Sequence, residues 1–418
     1  MSIRTRLHRT SSLIYIVGLT VALLTLSIVI PLNQPTRRVE EPYTFHNPAI
    51  KVDTEDDIHI VWQAGTHGRQ KIYYTKLDNA GPSKPRAISE TQYSHNPRLA
   101  IGDGEDVYAV WESPSENANE IFFAKFVNGS WTKPISISSN SSISEDPSIT
   151  ADERGHIHVV WQGIRGETYQ IFYREWDGRA WKEPKMVSES GKILLKWNHH
   201  PAIAAEHETV HIVWQAGSSK PEIYYVKLNE NFMSNPANLS NNGGSSLWPR
   251  VSVDSRRNIH VVWRDDTSGN SEIHYSEGNA RGWSNPTGIS GATGISDRPN
   301  IAADMQDNVH VVWAEHLLNK SVICYSRFDG RIWSKPMSIS ESLGYSYSPA
   351  VTVDNVGHVH VVWESVDDGV SGIHYRMYDG EKWSDLKRIS MDERSLNVSM
   401  ETFQTASEEA RTWPAREY

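Results

Sequence analysis

Asn308–Trp313, NVHVVW, and the stretch after it, Val322–Ser326, VICYS, decide how this chain folds. Val309, Val311 and Trp313 fall on one side of an extended segment. β-Branched and aromatic residues fill both stretches, the pattern of buried strands. Working outward, Asn300–Ala303 precedes them and Trp333–Ser340 (WSKPMSIS) follows, with turn residues such as Asp304-Met305-Gln306-Asp307 and Asp329-Gly330 between. The unit is four short strands in about fifty residues.

The same unit recurs along the chain. Its tryptophan returns as Trp62, Trp111, Trp161, Trp214, Trp263, Trp313 and Trp363, at spacings of 49, 50, 53, 49, 50 and 50 residues. A proline opens every copy (Pro48, Pro97, Pro147, Pro201, Pro249, Pro299, Pro349), and a serine closes it (Ser89, Ser138, Ser188, Ser240, Ser290, Ser340, Ser390). Four-stranded units at this period predict an all-β chain, a seven-bladed β-propeller of four-stranded antiparallel blades. The blades run over about 43–89, 93–138, 144–188, 197–240, 246–290, 295–340 and 345–390. A lone four-stranded sheet leaves both faces apolar, so each copy must stack on its neighbours, and closing the ring removes the exposed ends. Each copy holds its four strands in contiguous sequence, so the ring would close by side-chain packing without an interlocking strand.

The seven tryptophans read as packing between blades. His59, His158, His211, His260, His310 and His360 recur at one strand position, where the second copy has Tyr108. Placed once per blade, they cannot share a metal. They read as one structural hydrogen bond repeated, and neither a metal nor another cofactor is predicted. Cys324, the single cysteine, excludes an intrachain disulfide and reads as a buried structural thiol.

Composition narrows the partners. The 16 Trp and 17 Tyr against 8 Phe fit short strands and turns, not a helical bundle. Net charge is −10; removing the three positive charges of Arg4, Arg6 and Arg9, the only charged residues of 1–30, leaves −13 for the rest. That balance argues against nucleic acid, which demands clustered positive charge.

Residues 1–12 form a basic N-terminus, and Leu13–Ile30 (LIYIVGLTVALLTLSIVI) is an uncharged run of 18 residues. As a helix it would measure roughly 27 Å, about the hydrocarbon core of a bilayer. The arginines before it place the N-terminus in the cytoplasm and everything after Pro31 outside. The run ends Ser27-Ile28-Val29-Ile30-Pro31, without the small-residue cleavage site of a signal peptide, so an uncleaved transmembrane signal anchor is predicted. Residues 31–42 then form a stalk and 391–418 a polar tail. Sequons at Asn128, Asn140, Asn238, Asn319 and Asn397 offer glycan acceptors in an exported chain.

The last hairpin of several copies reads Asp177-Gly178-Arg179-Ala180-Trp181, Asp329-Gly330-Arg331-Ile332-Trp333 and Asp379-Gly380-Glu381-Lys382-Trp383, with Asn128-Gly129-Ser130-Trp131 a shortened form. These resemble the Asp-box of sialidases and related BNR-repeat propellers, S-x-D-x-G-x-x-W. The Gly-to-Trp spacing matches, but here Asp adjoins Gly. The turn has a physical sense of its own: Gly takes φ > 0, Asp accepts backbone amides and Trp covers the hairpin.

The resemblance implies that the first strand of each copy is innermost, and that ligand chemistry sits on the rim formed by the residues before each proline and after each tryptophan. On that rim the repeat loses its uniformity. The candidate ligand-binding residues are His46, His95, Arg98, Glu112, His199, Trp248, Arg250, Asp265, Asp297, Arg298 and Tyr347. Trp248 and Tyr347 can stack on a sugar face, while arginines and carboxylates grip hydroxyls or an acidic group. Sialidases hold a carboxylate with three arginines, the first in an F-R-I-P motif. The matching stretch here is Phe45-His46-Asn47-Pro48, with His46 where Arg belongs. The reading is therefore a membrane-anchored extracytoplasmic module binding a glycan or a surface protein, with no catalytic residue singled out. A sialidase-like hydrolase with a non-standard arginine set and a structural surface scaffold are the alternatives.

Overall fold

The computed structural model describes residues 43–390 apart from 103–105, 117, 139–142, 191–192, 196, 292–293 and 341–343. The expected anchor, stalk and tail lie outside the described residues. Among those described, no helix is long and apolar enough to cross a membrane.

The fold is all-β, made of antiparallel sheets that follow the repeat. In the first copy Thr44–Val52 pairs with Ile58–Thr66, which pairs with Arg69–Asp78, and short pieces at Gly81–Pro82 and Arg86–Ala87 complete the outer edge. The sixth copy repeats this with Ile295–Ala303, Val309–His316, Ser321–Phe328 and Met337–Ser338. It touches the seventh copy's sheet through one parallel pair, Ser321 with Tyr345. The longer spacing between Trp161 and Trp214 is taken up by an extra two-stranded hairpin, Glu189–Ser190 with Ile193–Leu194.

The outermost strand is shorter than the sequence suggests. Instead of one strand over 333–340, Trp333 forms an isolated bridge with Phe328 and only Met337–Ser338 pairs further on. Pro336 between them has no N–H to give to a ladder. The closing serine compensates. In all seven copies its hydroxyl accepts the backbone N–H of the third strand's isoleucine, from Ile72–Ser89 at 3.0 Å to Ile373–Ser390 at 3.0 Å.

Each of seven hydrophobic clusters joins two copies. Val61, Ile72 and Ile88 of the first copy pack with Leu99, Ala109 and Trp111 of the second, and the series continues copy by copy. The opposite face of the same strand, Ile58, Ile60 and Trp62, packs against Val362, Ile373 and Tyr375 of the seventh copy. Every one of the seven tryptophans is at most 1% exposed. Truncating one such side chain costs about 3–5 kcal/mol. The hairpin tryptophans add edge contacts to the preceding copy: Trp181 on Phe123, Trp333 on Tyr275, Trp383 on Tyr325. In those hairpins Asp177, Asp329 and Asp379 each accept two turn amides, and the following glycines have φ of 89°, 85° and 94°.

The repeated histidines are buried clamps. Each of the six donates or accepts at Nδ1 with a tyrosine hydroxyl of the third strand at 2.8 Å. In His59, His260, His310 and His360 the other nitrogen meets an aspartate, Asp53, Asp254, Asp304 or Asp354, whose second oxygen accepts amides of the adjoining turn. The second copy changes all three members together, to Tyr108, Phe123 and Gly102. A Cβ on Gly102 would lie 2.6 Å from the Tyr108 ring, so the larger ring requires the glycine. Cys324 is only partly buried, opposite Trp313 in register, and burial pushes its thiol up to about 12. That removes it as a nucleophile at neutral pH.

Candidate functional site

The opening prolines create the site. In every copy the register of the first two strands breaks at the residue before the proline and the proline itself. A proline without N–H suits such a bulge. The residue before it takes a left-handed backbone: Asn47, Asn96, Asp146, His200, Trp248, Arg298 and Ser348 have φ between 47° and 52°. None is glycine, and each such position costs about 1–3 kcal/mol unless its surroundings hold it.

What holds it comes from the preceding copy. The residue after the strand-two tryptophan accepts the backbone N–H of the left-handed residue next door. Gln63 takes Asn96 (3.1 Å), Glu112 takes Asp146 (2.7 Å), Gln162 takes His200 (3.0 Å) and Gln215 takes Trp248 (3.0 Å). Glu364 of the last copy takes Asn47 of the first (3.0 Å). Arg264 and Ala314 cannot accept; there the Arg298 N–H is accepted by its neighbour Asp297 Oδ1 at 2.7 Å, and the Arg298 guanidinium donates to the Ser348 hydroxyl at 3.1 Å.

The seven left-handed residues surround a cavity of about 440 Å³ lined by every copy. Arg98 and Arg250, one residue past their prolines, reach into it, and Arg298 stands at its edge. Among the described residues, Arg98 and Arg250 each bond only their own proline's carbonyl at 2.9 Å, and neither forms an ion pair. Burial, and then repulsion from Arg98, lower the Arg250 pKa to about 10. Glu112 and Glu145 share the lining, and the carboxyl that acts on both arginines is that of Asp146. Burial pushes its carboxyl up, but His200, hydrogen-bonded to it, and then Arg98 and Arg250 outweigh burial and hold it well below the usual range. Burial raises Glu112 to about 7, against the Asp146 amide it accepts. Trp248 lies with Arg264 and Arg298 over its ring at 5.3 and 5.9 Å.

Of the residues proposed from sequence, Arg98, Glu112, Trp248, Arg250 and Arg298 share this cavity. His46, Asp297 and Tyr347 line a neighbouring one of about 360 Å³, which also touches Arg298. Tyr347 therefore does not converge with the three arginines. His95 and His199 line neither; burial lowers both imidazoles, and His199 packs on Tyr169 with ring centroids 4.6 Å apart. Asp265 is a correction. It is fully buried and accepts the Trp263 indole at 2.9 Å, the Ser246 hydroxyl at 2.8 Å and the Thr267 amide at 3.0 Å, so it serves the blade. The sequence reading passed over Asp146 and His200, and over Tyr169, whose hydroxyl donates to Glu145 at the cavity wall (3.3 Å). Tyr169 stands where the last three copies have serine (Ser271, Ser321, Ser371), a departure visible in the aligned repeats.

No protein-family model and no curated protein matches the chain. Solved structures do. A PL25 polysaccharide lyase, an ulvan lyase bound to -[GlcA(1-4)Rha3S]-, is similar at TM-score 0.59 and 10% identity, over 86% of this chain and 98% of that one. A protein of unknown function from Dyadobacter fermentans is similar at TM-score 0.52 and 10% identity, over 81% and 95%. Leech intramolecular trans-sialidase reaches 0.48 at 10% identity, over 82% and 92%. At this identity the likeness is one of fold alone.

Proposed function

We propose that this chain is a glycan-binding propeller that takes an acidic sugar at the mouth of its central channel. Seven blades close into one ring in this reading, with the last copy's Glu364 anchoring the first copy's Asn47. The observation that carries it is the gathering of Arg98, Arg250 and Arg298 from three different copies in one cavity of an otherwise acidic protein. Asp146, Glu145 and Glu112 line the same cavity, Glu112 raised to about 7 by burial, and Trp248 offers a ring face beside the arginines. Unpaired guanidiniums in a recess are disposed to bind a carboxylate or sulfate by two parallel hydrogen bonds. Leu13–Ile30 would hold the propeller outside the cytoplasmic membrane.

A glycan array with the full-length chain tests this. Acidic glycans are retained and neutral ones are not, retention weakens with salt, and Arg250→Met lowers affinity at least tenfold with folding intact. Binding also tightens as the pH falls through about 7 and Glu112 loses its charge. Retention of neutral glycans alone, or indifference to Arg250→Met, refutes the proposal. The Tyr169–Glu145 pair favours a second reading, sialidase-like hydrolysis, because a carboxylate there can take the phenol's proton. Turnover of an aryl sialoside, lost in Tyr169→Phe, decides for it.

A further inference from the structure

The second cavity has a different chemistry from the first. Its ring face is Tyr347, which lies parallel to Tyr345 (centroids 6.3 Å, 7° between planes) and near His316 at 5.7 Å. Two carboxylates face it, Glu364 beside His46 at 3.2 Å and Asp297 beside His316 at 3.7 Å. Arg298 is the wall it shares with the mouth.

A flat ring binds the apolar face of a pyranose, and carboxylates and imidazoles accept and donate to its hydroxyls. The same carboxylates repel an anion, Asp297 less strongly than Glu364 because the Arg264 guanidinium lies 3.9 Å from it. Whatever acidic sugar reaches the mouth cannot place a second negative charge here without meeting Glu364 and Asp297. Cavities that share one side chain are adjacent, so successive residues of one sugar chain can fill both.

Resting on the reading of the mouth as an acidic-sugar site, we infer that the seam between the sixth, seventh and first copies is a second subsite, for an uncharged sugar. The recognised ligand is then a heteroglycan in which an acidic residue is joined to a neutral one. Polymers charged at every residue fit less well.

The test is calorimetric or NMR titration of the full-length chain with four probes: glucuronate, the two disaccharides of glucuronate and glucose in either order, and digalacturonate. One of the mixed disaccharides binds about five- to tenfold tighter than glucuronate, and digalacturonate shows no such gain. Tyr347→Ala removes the gain, while Tyr347→Phe keeps it; thermal unfolding of both variants checks folding. A gain equal for digalacturonate, or one that survives Tyr347→Ala, overturns the second subsite and leaves the mouth standing. No binding of glucuronate by the wild-type chain refutes the mouth itself, and the second subsite with it.

Discussion

Glu364→Ala asks whether the last copy is joined to the first in solution. Glu364 Oε2 accepts the Asn47 amide at 3.0 Å and lies 3.2 Å from His46 Nδ1, while Oε1 accepts the Ser348 hydroxyl at 3.2 Å. Its side chain is 12% exposed, so the alanine variant strands a part-buried N–H on a residue already held at φ 48°. A stranded buried donor costs about 1–3 kcal/mol. The centre of that range, about 2 kcal/mol, lowers the midpoint of a propeller this size by roughly 3 °C. Glu364→Gln keeps an acceptor, as Gln63, Gln162 and Gln215 do at the same position, and stays within about 0.5 kcal/mol. Gln215→Ala, which strands the Trp248 amide between two interior copies, is the reference. Denaturant unfolding of the three variants supplies the numbers. If Gln215→Ala costs about 2 kcal/mol and Glu364→Ala nothing measurable, the seam is open and the closed ring is wrong.

Two further outcomes follow from the buried clamps. His260→Tyr alone overpacks against Asp254 and costs about 1–3 kcal/mol, whereas His260→Tyr with Asp254→Gly and Tyr275→Phe copies the second copy's arrangement and recovers part of it; a mutant cycle in urea measures the coupling. Burial, reinforced by Lys227 and by Arg388 respectively, lowers His211 and His374 to about 4. Below their unfolded value of 6.5 the unfolded chain takes up protons the folded one refuses. Stability is therefore full above that pH and falls towards pH 4, by up to roughly 3 kcal/mol for each histidine. His374→Phe, which installs the residue of the second and third copies, flattens the fall in unfolding curves taken between those limits.

The scaffold was legible because each part repeats. The tryptophans, the opening prolines, the closing serines and the hairpin Asp-Gly-x-x-Trp all occupy the roles their spacing implies. Arg98 and Arg250, which line the cavity, stood out because they interrupt a column of small residues just past a proline. The rim was harder to divide. Glu112 and Asp265 both follow a strand-two tryptophan as acidic residues, yet one more step along a strand turns the side chain to the other face. Glu112 thus reaches the cavity, and Asp265 turns inward to an indole and a serine. The left-handed backbone before each proline was not announced as a common feature, since Asn, Asp and His favour it but Trp, Arg and Ser do not. The split of the rim into two cavities depends on that backbone.

Those seven strained positions have an evolutionary consequence. Five are tethered through their own peptide N–H, so the neighbouring copy grips the main chain whatever side chain the residue carries. Each works as an interchangeable socket. Asn, Asp, His and Trp all occupy it under the same tether, so the residues facing the cavity can change one at a time while the architecture stands still.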